Sequence, residues 1–257
     1  MNDASLEQYR YFLKDSIRQE VDFALTDQSR RIPPPPVEKP FDPGARRVDL
    51  PPRSAWQSVQ AVDLQQAIRD RESVRRFADA PLKLDELSFL LWATQGVRER
   101  LESGGALRTV PSAGARHALE TYVCALQVAG LDAGVYRYLP LEHQLLSLAD
   151  GTDLRTRLRS ATLGQAFAGQ GAATFVWAAI PYRMEWRYGL AAHKVIALDA
   201  GHVCQNLYLA CAAIGAGTCA VAAYDQQAMD RLIAVDGKDE FTVYLAPVGK
   251  RQAHAVR

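Results

Sequence analysis

The sequence predicts an α+β fold: a central mixed or antiparallel sheet flanked by helices, with a long buried helix through its middle. Three observations predict it. Helical and strand-like patterns follow one another in mixed order, not in strict βαβ alternation. Residues 172–180 form a nearly continuous apolar run, which reads as a strand buried on both faces. Residues 183–214 read as helix, with a possible break at Gly189, and 206–214 is apolar nearly all round. Such a helix must be covered on every side, centrally in the domain or at a subunit interface.

The 257 residues allow one large domain or two small ones with a substantial core. A formal charge of +1 excludes a general polyanion binder, and no nucleic-acid module is recognisable. Residues 1–5 show no basic and apolar leader pattern. The longest apolar run, 207–224, is interrupted by Gly215 and Gly217 and reads as buried helix then strand, not a membrane span. Cys124, Cys204, Cys211 and Cys219 form no C-x-x-C pair, and only His202 is near them, so they read as buried thiols and not as a metal site. A cytoplasmic protein is expected.

In chain order, residues 4–25 predict a helix from Leu6, Tyr9, Leu13, Ile17 and Val21 at three- and four-residue steps, within an N-terminal unit 1–30. Prolines 33–36, 40, 43, 51 and 52 forbid helix and central strand, so 31–55 is a stiff surface strap. It either connects the first helix to the body or serves as a P-x-x-P ligand. The main domain is 56–257. It opens with a short helix at 63–71 (Leu64, Ala67, Ile68). A second helix follows at 84–95, with Asp85 and Glu86 in its first turn and Gly96 at its C-terminal cap. A flexible loop is expected around Ser103, Gly104 and Gly105. Strands are expected at 120–128, 134–139 and 144–148, and a basic helix at 153–160. After the long helix, 218–223 is extended, Asp225 caps a helix to 233, and 240–248 is the last strand.

No G-x-G-x-x-G follows a strand, and no Walker A, G-x-S-x-G or H-E-x-x-H sequence occurs. What remains is the stretch 71–77, Arg-Glu-Ser-Val-Arg-Arg-Phe. If it is extended, Arg71, Ser73 and Arg75 share a face, two guanidinium forks around a hydroxyl. That is a grip for an anionic oxygen group, or else a solvated basic turn. Together with small-residue segments near Ser112 and Ala220 and a basic tail, the set suits a phosphate-bearing flat cofactor.

These features are similar to those of the flavin-dependent nitroreductase superfamily. The motifs that carry the resemblance are 71–77, 84–96, Pro111-Ser112-Ala113-Gly114, 199–207 and 244–250. The nearest subgroup resembles the SagB-type dehydrogenases, which include peptide azoline oxidases. The resemblance spans roughly 60–250. It implies a homodimer with FMN in a cleft between subunits, and possibly NADPH or NADH as electron donor. It places Arg71, Glu72, Ser73 and Arg75 at the FMN phosphate, ribityl chain and N1/O2 edge. Pro111, Ser112, Ala113 and Gly114 would pack on the ring from the other subunit. Ala220, Val221, Ala222 and Ala223 would lie near the N5/O4 edge, and Lys250 and Arg251 at the phosphate. The azoline-oxidase Lys-Tyr pair falls on Arg187 and Tyr188, and a following family arginine falls on Ala191. Arginine stays protonated and is a poor base, whereas Tyr188 could donate a proton or orient a small-molecule substrate; it could equally be a core aromatic.

Overall fold

The structure, a computed structural model, describes residues 3–102 and 104–252; Ser103, His254 and Arg257 lie outside them. In chain order the elements are α1 (Asp3–Tyr11), β1 (Arg47–Asp49), α2 (Leu64–Arg69), β2 (Leu82–Lys83), α3 (Leu84–Gln95), β3 (Val97–Arg100), β4 (Ala106–Arg108), β5 (Leu119–Ala125), β6 (Val128–Ala129), β7 (Gly134–Leu139), β8 (Gln144–Asp150), α4 (Leu154–Ala161), β9 (Ala173–Ala179), α5 (Tyr182–Tyr188), α6 (Ala192–Ala212), β10 (Ala216–Thr218), α7 (Gln226–Leu232) and β11 (Phe241–Lys250). Seven strands make one sheet in the order β1-β8-β7-β5-β9-β11-β10, and every pairing in it is antiparallel.

Alternation along the central strands divides the core. Phe175 and Trp177 of β9 and Val123 of β5 face a cluster with α3 and α6. Val176, Tyr122 and Cys124 face the other side, against α4 and α7. Both faces are therefore apolar, which is why β9 reads as an unbroken apolar run. Leu87, Leu90 and Leu91 of α3 have no exposed surface, and each such side chain contributes about 1.5–3 kcal/mol of burial. All four cysteines are free and buried.

The expected fold class holds, with local differences. Only Asp3–Tyr11 of the 4–25 helix is α-helical; two 3-10 turns, Asp15–Glu20 and Phe23–Leu25, replace the rest. Neither turn buries a residue, and an uncovered short helix gains no packing. The long helix breaks at Gly189 (φ 51°, ψ −133°), leaving α5 and the 21-residue α6. Gly96 is extended (φ −61°, ψ 145°) and not left-handed. It is needed because a Cβ there would lie 2.3 Å from Trp92 Cδ1. Of the expected flexible loop, Ser103 lies outside the described residues; Gly104 and Gly105 lead into β4, which pairs antiparallel with β3.

The strap is stitched to the sheet by buried charge. Arg108 donates to the Val37 carbonyl (2.7 Å) and Arg137 to that of Lys39 (2.8 Å). The Lys39 amide donates to Glu120 (2.9 Å), and Glu38 accepts from the Leu141 amide (3.1 Å). Glu120 pairs with Arg183 at 2.5 Å, both 2% exposed. Burial alone would raise the Glu120 carboxyl; Arg183, Arg137 and Arg108 outweigh it and hold it below its ordinary value. Burial pushes the Arg108 guanidinium down to about 10.

Candidate functional site

The α2 helix starts on Asp63, whose side chain accepts from the Gln66 amide. After it the chain runs extended along the sheet edge. Ser73 bridges Thr218 in parallel, Phe77 bridges Arg251, and the Val74 amide donates to the Thr218 carbonyl (2.8 Å). Two glycines permit this approach. A Cβ on Gly217 would lie 2.5 Å from Val74 Cγ2, and one on Gly249 would lie 2.8 Å from Phe77 Cγ.

With Val74 turned inward, Arg71, Ser73 and Arg75 are exposed. The Arg71 guanidinium lies 5.3 Å from the Tyr208 ring centre, and that of Arg75 lies 5.8 Å from the Phe167 ring. Ser73 Oγ is 2.9 Å from Tyr208 Oη. Among the described residues neither Arg71 nor Arg75 forms an ion pair. Glu72 pairs with Arg251 (3.0 Å), and both line one cavity with Ser73, Arg75 and Arg76.

Tyr208 links two of the segments singled out in the sequence. Its hydroxyl also accepts from the Ala220 amide (2.9 Å). Val221 is tied to Leu245 of β11 by amide–carbonyl bonds in both directions, 2.8 and 3.2 Å, which leaves Ala222 and Ala223 exposed beside it. Sequence reasoning missed Tyr208. Its only signal was a hydroxyl-bearing aromatic within an otherwise apolar helical run.

Lys250 is held elsewhere: Nζ lies 2.6 Å from Glu86 Oε1 and donates to the Ile214 carbonyl, also 2.6 Å. Glu86 is 4% exposed there, so this pair braces α3 against the end of β11. Arg251 is spread over Glu72 and the Ala216 carbonyl (3.2 Å).

The loop 111–114 lies at the opposite end of α6. Ser112 Oγ accepts from the His117 amide (2.9 Å). Burial raises the Asp199 carboxyl, and hydrogen bonds from the Ser112 side chain and the Ala113 amide pull it back. Gly114 has φ 57°, and a Cβ there would lie 2.7 Å from Tyr188 Oη and 3.0 Å from Arg187 Nε. Asp199 and Tyr208 are nine residues apart on α6, about 13 Å along the axis. One chain therefore does not bring Pro111 and Ser112 to Arg71 and Ser73.

The Nitroreductase family profile matches residues 68–250. The chain belongs to the nitroreductase family. A Methanocaldococcus jannaschii protein that carries the name nitroreductase is 33% identical over 193 residues, 75% of this chain and 93% of that one. A crystal structure from Ralstonia eutropha, also described as a nitroreductase, superposes with a TM-score of 0.66 at 29% identity, covering 86% of this chain and all of that one. A chain of the Escherichia coli microcin synthetase McbBCD complex, solved with truncated pro-MccB17 bound, shares the fold (TM-score 0.60, 20% identity, 84% of this chain and 79% of that one). The α+β architecture is thus that of nitroreductases, and the chain is an oxidoreductase of that family. No described helix is long and apolar enough to cross a membrane.

Proposed function

We propose that this nitroreductase-family oxidoreductase is FMN-dependent and works as a homodimer, carrying electrons from a reduced nicotinamide to a small organic acceptor. The observation that carries this is the Ser73–Tyr208–Ala220 node with the Arg71 guanidinium over Tyr208 and Arg75 two residues on from Ser73, neither arginine in an ion pair among the described residues. Exposed cations around a hydroxyl fit a phosphate and ribityl chain. The small, exposed Ala222 and Ala223 leave room for a flat ring beside them. FMN, when bound, supplies hydride transfer through N5, with donor and acceptor using the site in turn.

The chain's own residues take distinct parts. Arg71, Ser73 and Arg75 hold the phosphate end. Tyr208 fixes the Ser73 hydroxyl and the Ala220 amide relative to each other. The 111–114 loop, too far along α6 to reach the node of its own chain, closes the node of a two-fold partner. The exposed α6 stripe of Leu198, Gly201, His202 and Gln205 is the face for that partner; Leu198 is 54% exposed. Tyr188, beside Gly114, then holds or donates a proton at a substrate heteroatom.

A second reading, a SagB-type dehydrogenase oxidising a peptide heterocycle or another small molecule with oxygen as acceptor, is favoured by Tyr188 at the 111–114 loop. Arg187 stands where that chemistry wants a base. A third, a flavin-binding protein without turnover or a partner subunit that has lost its redox role, is an outcome of the same test. The absorbance spectrum of purified protein is recorded, then NADH and NADPH are added without oxygen. Bleaching of a bound-flavin band supports the leading reading. A stable flavin band that neither nucleotide bleaches favours the second or third, which substrate oxidation in air separates. Colourless protein that gains no thermal stability from FMN in excess overturns the proposal.

A further inference from the structure

An apolar cavity of about 390 Å³ lies between the first half of α6 and the first half of β11. Ile196 and Ala200 form one wall, Val243 and Tyr244 another, and Ala222 opens onto it from the segment near the node. Phe12, from the N-terminal arm, supplies a further wall. The volume falls within the range of small-molecule pockets. A second cleft of about 640 Å³ adjoins it through Pro181, His193 and Phe241, and is lined beyond them by Tyr182, Glu185, Lys238 and Asp239. The inner space is thus apolar, while the outer one carries both signs of charge. His193 Nε2, 2.9 Å from Glu185 Oε1, stands at the join.

The arm is positioned independently of Phe12. The Gln28 amide donates to the Trp186 carbonyl (2.9 Å), Trp186 Nε1 to the Ile32 carbonyl (2.9 Å) and Tyr182 Oη to Asp27 (2.8 Å). Val21 lies against Gly189. These ties hold the arm on α5 and the start of α6, yet Phe12 is still 46% exposed and its neighbour Leu13 68%. A half-exposed ring laid over an apolar hole gains little from burial as it stands and gains more when a ligand fills the hole beneath it.

We propose that this two-compartment cleft binds a small amphipathic molecule, its uncharged ring in the inner space and its charged end in the outer one, with Phe12 as lid and specificity-determining wall. The link from cleft to chemistry, through Ala222, rests on the flavin reading above; binding itself does not. Two fluorescent probes test it on the full chain, with and without FMN: N-phenyl-1-naphthylamine, which has no charged end, and dansylglycine, which carries a carboxylate. Both should bind with enhanced fluorescence. Val243→Trp, filling the inner space, and Phe12→Ala, opening it, should each weaken both probes, by roughly tenfold. Leu13→Ala should change neither. Lys238→Gln should weaken dansylglycine alone. Absence of probe binding, an unchanged affinity in folded Phe12→Ala, or equal losses in Phe12→Ala and Leu13→Ala overturns the proposal. So does a Lys238→Gln effect equal on both probes. Protein that retains FMN but binds neither probe refutes the cleft only; protein that binds probes but never FMN refutes the flavin reading only.

Discussion

Replacing Glu120 by Gln removes one negative charge from beneath three buried guanidinium groups. Glu120 is 2% exposed, and Arg108, Arg137 and Arg183 are 6%, 3% and 2% exposed. Its Oε1 accepts from Arg183 (2.5 Å) and from the Lys39 amide (2.9 Å). A Gln keeps the shape and some hydrogen bonding but leaves Arg183 uncompensated in a site that water does not reach. Breaking a buried pair in this way costs about 3–5 kcal/mol. For a chain of this size each kcal/mol moves the melting temperature by about 2–4 °C, so a fall of roughly 6–20 °C is expected. The strap should loosen with it, because the Lys39 amide exchanges a carboxylate acceptor for a weaker amide oxygen; limited proteolysis within 31–55 should accelerate. Urea and thermal unfolding measure the first effect and a timed protease digest the second. Glu120→Gln with Arg183→Met, which swaps the pair for a neutral amide and an apolar chain, should be more stable than Glu120→Gln alone, because the stranded charge is gone. A loss under about 1 kcal/mol in the single variant, or no recovery in the double, would refute the argument that uncompensated charge sets the cost.

Burial first, then the Glu142 and Glu120 charges, raise the Glu38 carboxyl from 4.5 to about 7, against the Leu141 amide. Its native-state contribution is therefore full below pH 4.5 and lost as pH rises through 7, a loss of about 1–2 kcal/mol after allowing for partial solvation. Glu38→Gln should flatten that fall, as read by urea midpoints from pH 4.5 to 8; an unchanged pH profile counts against it. Gly217→Ala forces a Cβ to 2.5 Å from Val74 Cγ2, so about 1–3 kcal/mol of overpacking and weaker FMN retention are expected, and normal values of both would show that the 71–77 segment is not pinned there. Arg71→Ala and Arg75→Ala should each reduce FMN retention on gel filtration while Arg76→Ala should not; equal losses in all three would sink the one-sided arrangement.

Much of the fold was legible because its signals are local. The run at 172–180 and the Asp225 cap each specify an element with few neighbours: β9 spans Ala173–Ala179, and Asp225 accepts from the Ala228 amide (2.8 Å). The N-terminal arm misled for the same reason. Leu6, Tyr9 and Leu13 have helical spacing, but beyond Tyr11 nothing covers the stripe to extend the helix, and Leu13 is 68% exposed. The strand β1 was invisible because it follows the prolines and holds only three residues, paired to β8 at the sheet edge. What anchors the strap is remote: Glu120 lies 81 residues from Lys39, and Glu240 lies 201. No window of sequence displays a contact of that separation.

The candidate site divides along the same line. Alternation predicts one face for Arg71, Ser73 and Arg75; the segment meets the sheet edge through bridges at Ser73 and Phe77, with Arg71 over Tyr208, which packs with the α3/α6 cluster, and Arg75 over Phe167, which packs with the α4/α7 cluster. What alternation could not supply is the reason for this approach. That reason is two absent side chains, Gly217 and Gly249, which let Val74 and Phe77 lie on the sheet edge. The family resemblance offers Lys250 and Arg251 as equal candidates for the phosphate. Burial separates them: Lys250 braces Glu86 at 4% exposure, whereas Arg251 meets a Glu72 side chain that is 57% exposed. An exposed ion pair is worth about 1 kcal/mol or less and can be exchanged for another anion; a buried one cannot without stranding its partner. Of the two tail cations, Arg251 therefore holds the ion pair that costs less to exchange, and Glu72 is its carboxylate.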